Sequence, residues 1–224
     1  MATILEFNFV PWGNAYVNTT ECGLPAAPGW EKTGYNGAAK ECWMKQCAAD
    51  QAKCAATASE PLICQHGPNE CLVDRYEGCA MSLRPGYLNY MPFVQCFEGH
   101  AASRAVVGVD TDIAAVHLAA QLCAIVNSPT MDWLALRACA AEGSADGDAQ
   151  ELAMALKTVG LSPKHLFTPW VTLNGVPQDP YPTFPADDDD PNHYNPLDHL
   201  VASVCGNYTG TAVLPAACNK TVTA

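Results

Sequence analysis

The stretch CQHGPNECLVDRYEGC, from Cys64 to Cys79, is the most informative part of this sequence. Its three cysteines and one histidine are compatible with structural disulfides, with a catalytic thiol, or with a zinc site made of Cys64, His66, Cys71 and Cys79. Zinc sites usually contain cysteine pairs separated by two to four residues, and this stretch has none. A redox dithiol usually has the form C-x-x-C, and no two cysteines of the chain have that spacing. The spacing therefore favours structural disulfides, with pairings that the sequence does not assign.

The cysteine content of the whole chain supports this interpretation. The 224 residues include twelve cysteines, a high and even number that is typical of a disulfide framework formed in an oxidising compartment. Because 49% of the residues are hydrophobic, the chain can also bury a substantial core. Three N-x-S/T sequons agree with a secretory or lysosomal route and predict glycosylation at Asn18, Asn207 and Asn219.

The charge balance and the hydropathy exclude two classes of partner. With 11 basic against 23 acidic side chains, the chain has no basic patch for nucleic acid. No run approaches the ~20 apolar residues that span a membrane, so no membrane partner is predicted. The start MATILEFNFVPWGN also lacks the features of a signal peptide, which is unexpected for a cysteine-rich chain with sequons.

The hydrophobic pattern predicts a strand, a helical block, a hairpin and a final helix, in that order. The alternation over residues 3–10 predicts the strand, and an Asn174-Gly175 turn predicts the hairpin within 167–177. Residues 18–41 and 177–196 are predicted to be loops. Asp110 or Thr111 is the expected cap of one helix, whose residues Ile113, Val116 and Ala120 should face inward. The predicted helices are 42–58, one starting near Asn69, 110–126, one starting at Ser128-Pro129, 146–159 ending before Gly160, and 196–206.

The opening stretch resembles the signature CQHGxxECxxNxxxxC of the gamma-interferon-inducible lysosomal thiol reductase family. Seven of the eight fixed positions match, and Asp74 stands where the family has asparagine. The seven matching residues are Cys64, Gln65, His66, Gly67, Glu70, Cys71 and Cys79. VPWGNA at 10–15 and TPWVTLNG at 168–175 also resemble the family's VPYGNA and VPWVTVNG. The resemblance covers most of 4–218 except about 18–60, an insertion with four extra cysteines that the family does not explain. The later cysteines fall about where the family places its own: Cys96, Cys123, Cys139, Cys205 and Cys218.

The resemblance implies an α/β, thioredoxin-like fold with a large helical, disulfide-rich insertion. Residues 1–224 are expected to form one domain. Its parts are an extra cysteine-rich insertion at 18–60, the helical insertion at 61–165, and the hairpin and final helix at 166–208. It implies a thiol–disulfide oxidoreductase that reduces protein disulfides at acidic pH in lysosomes, or after secretion, with a small thiol donor. Neither a metal nor an organic cofactor is implied.

The family's catalytic C-x-x-C dithiol is missing from this sequence. In the family it precedes the strand that ends in VPYGNA, and here that strand begins at residue 3. We therefore expect an incomplete chain that lacks the first strand, the active-site helix and the signal peptide. The alternative is a non-catalytic, secreted, disulfide-stapled binding protein on the same scaffold. Cys42 and Cys47 are poorly spaced as a replacement dithiol and are expected to form disulfides within the insertion.

Thr168-Pro169 is the one active-site element that the resemblance leaves in the chain. In thioredoxin-like folds a cis-proline at this position lies against the dithiol and presents backbone to the substrate. His66 is expected to pack and to satisfy local backbone rather than to carry protons. His117 is expected at the edge of the core, and Trp12 and Trp170 are expected to pack. The acidic run Asp187–Asp190, with His193 and His199 nearby, is expected to be a solvated loop rather than a metal site.

Overall fold

The structure, a computed structural model, describes residues 6–99, 112–127, 131–178 and 196–219. These residues fall into two compact units: Phe9–Leu161 forms one, and the other described residues form the second. The larger unit contains β1 (Tyr16–Val17), α1 (Gly37–Ala49), a 3-10 turn (Gln51–Cys54), β2 (Leu62–Ile63), α2 (Pro68–Leu83), α3 (Tyr87–Gly99), α4 (Ile113–Val126), α5 (Trp133–Ala140) and α6 (Ala145–Val159). The smaller unit contains β3 (Val171–Leu173), β4 (Val176–Gln178), α7 (Pro196–Gly206) and a 3-10 turn (Ala216–Asn219).

Polar caps explain where most of the helices of the larger unit begin. The side chains of Asn36, Asp112, Asp132 and Ser144 each accept a backbone N–H from the first turn of the helix that follows. A cap of this kind satisfies a donor that the helix itself cannot pair. Helix α6 ends at Gly160, as predicted.

The larger unit has two hydrophobic clusters, and α2 lies between them. One cluster is formed by α2, α3, α4 and α5, and its fully buried side chains include Tyr76, Phe93 and Leu136. The other joins α1 and α6 to the strand β1, around Trp43 and Tyr16. Helix α2 therefore takes its position from packing on more than one side.

Both sheets are two-stranded and antiparallel. In the larger unit Tyr16 pairs with Ile63 and Val17 with Leu62. In the smaller unit β3 and β4 form the predicted hairpin, and its turn residues Asn174 and Gly175 have φ values of 51° and 79°. Positive φ at both turn residues is the geometry that makes Asn-Gly a hairpin signal.

All twelve cysteines form disulfides. The pairs are Cys22–Cys42, Cys47–Cys54, Cys64–Cys71, Cys79–Cys139, Cys96–Cys123 and Cys205–Cys218. The four cysteines of the 18–60 insertion pair among themselves, which makes its framework independent of the other disulfides. Cys79–Cys139 and Cys96–Cys123 join pairs of helices that share one core.

Several predictions of local structure are wrong or incomplete. Of the strand predicted over 3–10, residues 3–5 lie outside the described residues, and residues 6–10 are not a strand, because none of the described strands pairs with them. Helix α4 is capped by Asp112, and although Val116 and Ala120 are buried, Ile113 is 53% exposed. Helix α5 is capped by Asp132, while Asp110, Thr111, Ser128 and Pro129 lie outside the described residues.

Two further helices depart from the sequence-based prediction. Helix α3 was not predicted; it contains Pro92, yet Phe93 and Phe97 are fully buried, and this packing offsets the local cost of proline. Helix α1 starts five residues before the predicted 42–58 helix and passes into the 3-10 turn after Ala49. The helix near Asn69 and the final helix are confirmed.

The described residues are mostly helical, with few strands and many disulfides. That content agrees with an α/β, disulfide-rich protein. The thioredoxin-like sheet and the single-domain arrangement stay predictions. No helix in the described ranges is long and apolar enough to cross a membrane.

Candidate functional site at the first turn of helix α2

The signature stretch forms a tight turn that leads from β2 into α2. The N–H of Gly67 donates to the carbonyl of Cys64 at 3.1 Å, and Gly67 then caps the helix with a φ of 109°. Glycine adopts that φ without the steric cost that a side chain would add. Pro68 follows at the first helical position, where its missing N–H costs nothing.

A disulfide closes this turn. Cys64 and Cys71 are seven residues apart, and their Cα atoms are 5.6 Å apart. Cys64 is 1% exposed, whereas Cys71 is half-buried, so Cys71 is the more accessible of the two cysteines to solvent. The zinc hypothesis fails here, because Cys64 and Cys71 are bonded to each other and Cys79 is bonded to Cys139. Within the described ranges no other group of His, Cys, Asp or Glu side chains could hold a metal ion.

The side chains of His66 and Glu70 contact each other inside the ring that the disulfide closes. Nδ1 of His66 lies 3.0 Å from Oε1 of Glu70, and the backbone N–H of His66 donates to Oε2 of Glu70 at 2.7 Å. The imidazole is 48% exposed and lies edge-on to Trp30, with ring centroids 5.9 Å apart. The ring of His66 thus packs against Trp30, as expected, but it also faces solvent and a carboxylate. That His66 does not carry protons stays a prediction.

Hydrogen bonds connect the signature to the VPWGNA motif. Nδ2 of Asn14 donates to Oε1 of Gln65 at 2.7 Å, and Nζ of Lys40 donates to Oδ1 of Asn14 at 2.6 Å. Just after Asn14 the chain enters β1, which pairs with β2 immediately before Cys64. Two motifs about fifty residues apart in sequence thus form one local structure.

Arg75 anchors the helix that carries the signature. Its side chain is 9% exposed, and its Nη2 donates to the carbonyls of Ala141 and Ser144 at 2.9 and 3.1 Å. Carboxylates accept from both terminal nitrogens: Asp148 lies 2.8 Å from Nη2 and Glu151 lies 3.0 Å from Nη1. One guanidinium therefore ties α2 to the connection between α5 and α6.

Two carboxyl groups of α2 are held in an environment that opposes their ionisation. Burial, reinforced by neighbouring carboxylates, raises the pKa of Asp74 and the pKa of Glu77 well above their usual range. Glu77 is 1% exposed, and the Glu98 carboxyl group of α3 adds to the effect of burial on the pKa of Glu77. A protonated Asp74 resembles the neutral asparagine that the family has at this position.

Tyr76 and His117 form one of the contacts between α2 and α4. The Tyr76 hydroxyl lies 2.7 Å from Nδ1 of His117, and burial raises the pKa of Tyr76 to about 12. Tyr76 is fully buried, while His117 is exposed, which places His117 at the edge of the core. Trp12 is 2% exposed and stacks on Trp43, in agreement with a packing role.

Thr168 and Pro169 belong to the smaller unit. Their peptide bond is cis, as the resemblance implies, and both residues are exposed. Phe167 and Trp170 flank them in an edge contact with centroids 5.1 Å apart. Whether Pro169 meets a substrate stays a prediction.

The remaining candidates belong to other parts of the sequence. Asp187–Asp190 and His193 lie outside the described residues, and His199 is in helix α7. Asn207 is exposed and donates its amide to Ser203, whereas Asn18 is half-buried; Asn219 ends the last 3-10 turn. Glycosylation of these asparagines stays a prediction.

Sequence reasoning missed three of the residues that organise this region: Asn14, Arg75 and Glu77. Asn14 is part of a quoted motif, so its place beside the signature could have been inferred. Arg75 and Glu77 are charged residues within a helical pattern, and such residues usually face solvent. The sequence carries no signal that would place them inside.

Comparisons with known proteins match this region. The family model "Gamma interferon inducible lysosomal thiol reductase (GILT)" matches residues 44–111. The "Gamma-interferon-responsive lysosomal thiol protein" of Arabidopsis thaliana is 28% identical over 167 residues, which cover 71% of this chain and 54% of that protein. The "Gamma-interferon-inducible lysosomal thiol reductase" of Carassius auratus is 32% identical over 160 residues, which cover 71% of this chain and 51% of that protein.

The chain spans about half the length of these curated relatives. The matched family region contains the whole signature, from the closed turn at Cys64 to Cys79 in the core. Together, the signature, the family model and the two relatives show that this chain belongs to the gamma interferon inducible lysosomal thiol reductase family.

Proposed function

We propose that this protein is a thiol–disulfide oxidoreductase that reduces disulfides of protein substrates at acidic pH, with a small thiol as electron donor. The observation that carries the proposal is the complete CQHGPNEC turn, built at the start of α2 and bonded to the VPWGNA motif through Asn14 and Gln65. The reductase named among the relatives supports the general reaction class. A lysosomal or secreted location agrees with the six disulfides.

We further propose that substrate reduction uses a C-x-x-C dithiol that these 224 residues do not contain. In dithiol exchange one thiolate attacks the substrate disulfide, and the second cysteine resolves the mixed disulfide. The twelve cysteines here are all paired, and two of the six disulfides serve the helical core. Thr168 and Pro169 would then present backbone to the substrate beside that dithiol.

The test compares the gene product purified from its own cells with the 224-residue chain. Both are assayed for turnover of a disulfide-containing protein near pH 5 with a small thiol donor. Turnover by the cellular product alone supports the proposal in full. Turnover by the 224-residue chain supports a reductase but contradicts the requirement for a further dithiol.

Turnover by neither sample would favour the alternative, a non-catalytic binding protein stapled by disulfides. The specific observation behind this alternative is that the 18–60 insertion carries two disulfides of its own, Cys22–Cys42 and Cys47–Cys54. If the insertion is the binding surface, replacing the cysteines of both disulfides should abolish binding of the partner. If binding persists, the binding surface lies elsewhere in the chain.

A further inference from the structure

We propose that Cys64–Cys71 is a redox exchange site in its own right, in which a small-molecule thiolate attacks Cys71 and the His66–Glu70 pair assists the departure of Cys64. The proposal goes beyond the proposed function and does not rest on it. The reaction takes place on the cysteines of this chain and needs no protein substrate.

The unequal exposure of the two cysteines sets the direction of attack. A thiolate must reach one sulfur of a disulfide from the side opposite the other sulfur. Cys71 is half-buried and accessible, whereas Cys64 is 1% exposed and lies under the turn that leads to Gly67. Cys71 is therefore the sulfur that is attacked, and Cys64 is the leaving group.

The turn supplies two groups that favour the departure of a negatively charged sulfur. The positive end of the dipole of helix α2, which begins after Gly67, lies at this turn. The imidazole of His66 is in the same ring, and Glu70 holds it by the 3.0 Å contact. A protonated imidazole held in this way can give a proton to the departing thiolate, and Glu70 stabilises its positive charge.

The exchange balances with a small-molecule monothiol as the reductant. In the first step a new bond forms between the donor sulfur and Cys71, the Cys64–Cys71 bond breaks, and Cys64 takes a proton from His66. In the second step another donor thiolate attacks the donor sulfur of this mixed disulfide and releases Cys71, which takes a proton from water. Two donor thiols are oxidised to one disulfide, the two cysteines are reduced, and His66 regains its proton from solvent.

The other disulfides lack this combination. Cys47–Cys54 has the same separation of seven residues, but both of its cysteines are 1% exposed. Cys79–Cys139 lies in the helical core. Cys22–Cys42 also has one half-buried cysteine, and its ring contains no histidine.

The local structure can survive the opening of this disulfide. The pairing of β1 with β2, the Asn14–Gln65 hydrogen bond and the Gly67–Cys64 backbone bond all remain when the sulfurs separate. The nearby Cys47–Cys54 and Cys79–Cys139 disulfides still hold α1 and α2. Reduction should therefore be reversible and should not require global unfolding.

The experiment follows the reduction of each disulfide in the intact chain by glutathione. Samples are quenched by alkylation, and mass spectrometry gives the rate for every cysteine pair at pH 5 and at pH 8.5. The quantity that decides is the rate for Cys64–Cys71 divided by the rate for Cys22–Cys42. Both rates depend on the same concentration of glutathione thiolate. Their ratio is therefore unaffected by the change in that concentration between the two pH values.

We expect the ratio to be on the order of ten at pH 5, because a more stable leaving thiolate and a general acid both speed exchange. The ratio should fall at pH 8.5, because near the usual pKa of a cysteine thiol the departing thiolate needs less help from a general acid. In the His66→Gln variant the ratio should be near one at both pH values, and Glu70→Gln should lie between. Cys47–Cys54 is the matched pair that should stay oxidised throughout.

A ratio near one in the wild-type chain at pH 5 would overturn the proposal, as would a high ratio that His66→Gln leaves unchanged. A high ratio with no pH dependence would show that exposure alone drives the reaction and would also overturn the role of His66. The thermal midpoint of each oxidised variant is measured first. A variant whose midpoint falls is replaced by His66→Asn, which retains a hydrogen-bonding group at a similar place.

Discussion

Replacement of Arg75 by methionine should destabilise the larger unit by about 3 kcal/mol. Methionine keeps most of the apolar stem and removes the guanidinium, so the change isolates the polar contacts. Those contacts reach two backbone carbonyls and two carboxylates on the α5–α6 connection and on α6. The variant therefore tests whether one buried cation fixes α2 against α6.

The magnitude follows from the exposure of each partner. Glu151 is 17% exposed and would lose the cation that offsets its burial, and breaking such a buried pair costs roughly 3–5 kcal/mol. Burial raises the pKa of Glu151, and Arg75 opposes that shift, so the variant can protonate Glu151 and limit the loss. Asp148 is 60% exposed and adds only about 0.5 kcal/mol. The lower end of the range, about 3 kcal/mol, is therefore expected.

The assay is urea unfolding of the oxidised chain at pH 7 and at pH 4.5, followed by circular dichroism. The loss of unfolding free energy in Arg75→Met should be smaller at pH 4.5, because protonation of Glu151 costs less free energy at the lower pH. Asp148→Asn is the control and should lose well under 1 kcal/mol. A loss of less than 1 kcal/mol in Arg75→Met at pH 7 would refute the reasoning, as would an equal loss in the control.

Three further predictions concern the same helical core. Burial raises the pKa of Glu77, so its contribution to stability is present below the usual carboxyl pKa and is lost as the pH rises toward the raised value. Glu77→Gln should therefore match the wild type in urea midpoint near pH 4 and exceed it at pH 8; a lower midpoint at pH 8 would contradict this. In Gly147→Ala the new Cβ would overlap the Arg75 guanidinium, so the thermal midpoint should fall despite the better helix propensity of alanine; Gly99→Ala, which meets open space, is the control. Tyr76→Phe should cost about 1 kcal/mol in urea unfolding through the lost contact with His117, and an unchanged midpoint would show that this contact contributes nothing.

Acidic solution should favour this protein for the reason that applies to Glu77. Glu77 is buried and Asp74 is half-buried, both lie near other carboxylates, and both have a raised pKa for these reasons. Each is cheaper to bury when it holds a proton. The core of this chain is thus matched to the acidic compartment that the proposed function implies.

Local rules recovered much of the secondary structure. The Asn174-Gly175 turn, the stop at Gly160 and the helix near Asn69 depend on residues next to each other in sequence, and all three are confirmed. The strand predicted over 3–10 is not formed at 6–10, because a strand needs a neighbour to pair with, and alternation in one segment does not identify that neighbour. Helix α3 was not predicted because a proline such as Pro92 usually argues against a helix. In the structure, the burial of Phe93 offsets the cost of that proline.

The sequence by itself determined the chemistry of this protein: twelve cysteines with no C-x-x-C, a signature in which seven of eight positions match, and a family that the comparisons confirm. Only the tertiary structure decided which cysteines pair, that His66 meets Glu70 beside a disulfide, and that Arg75 and Glu77 are buried. The physical reason is that residue type and spacing fix what a side chain can do. Its charge state and its partners depend on the groups that folding brings around it.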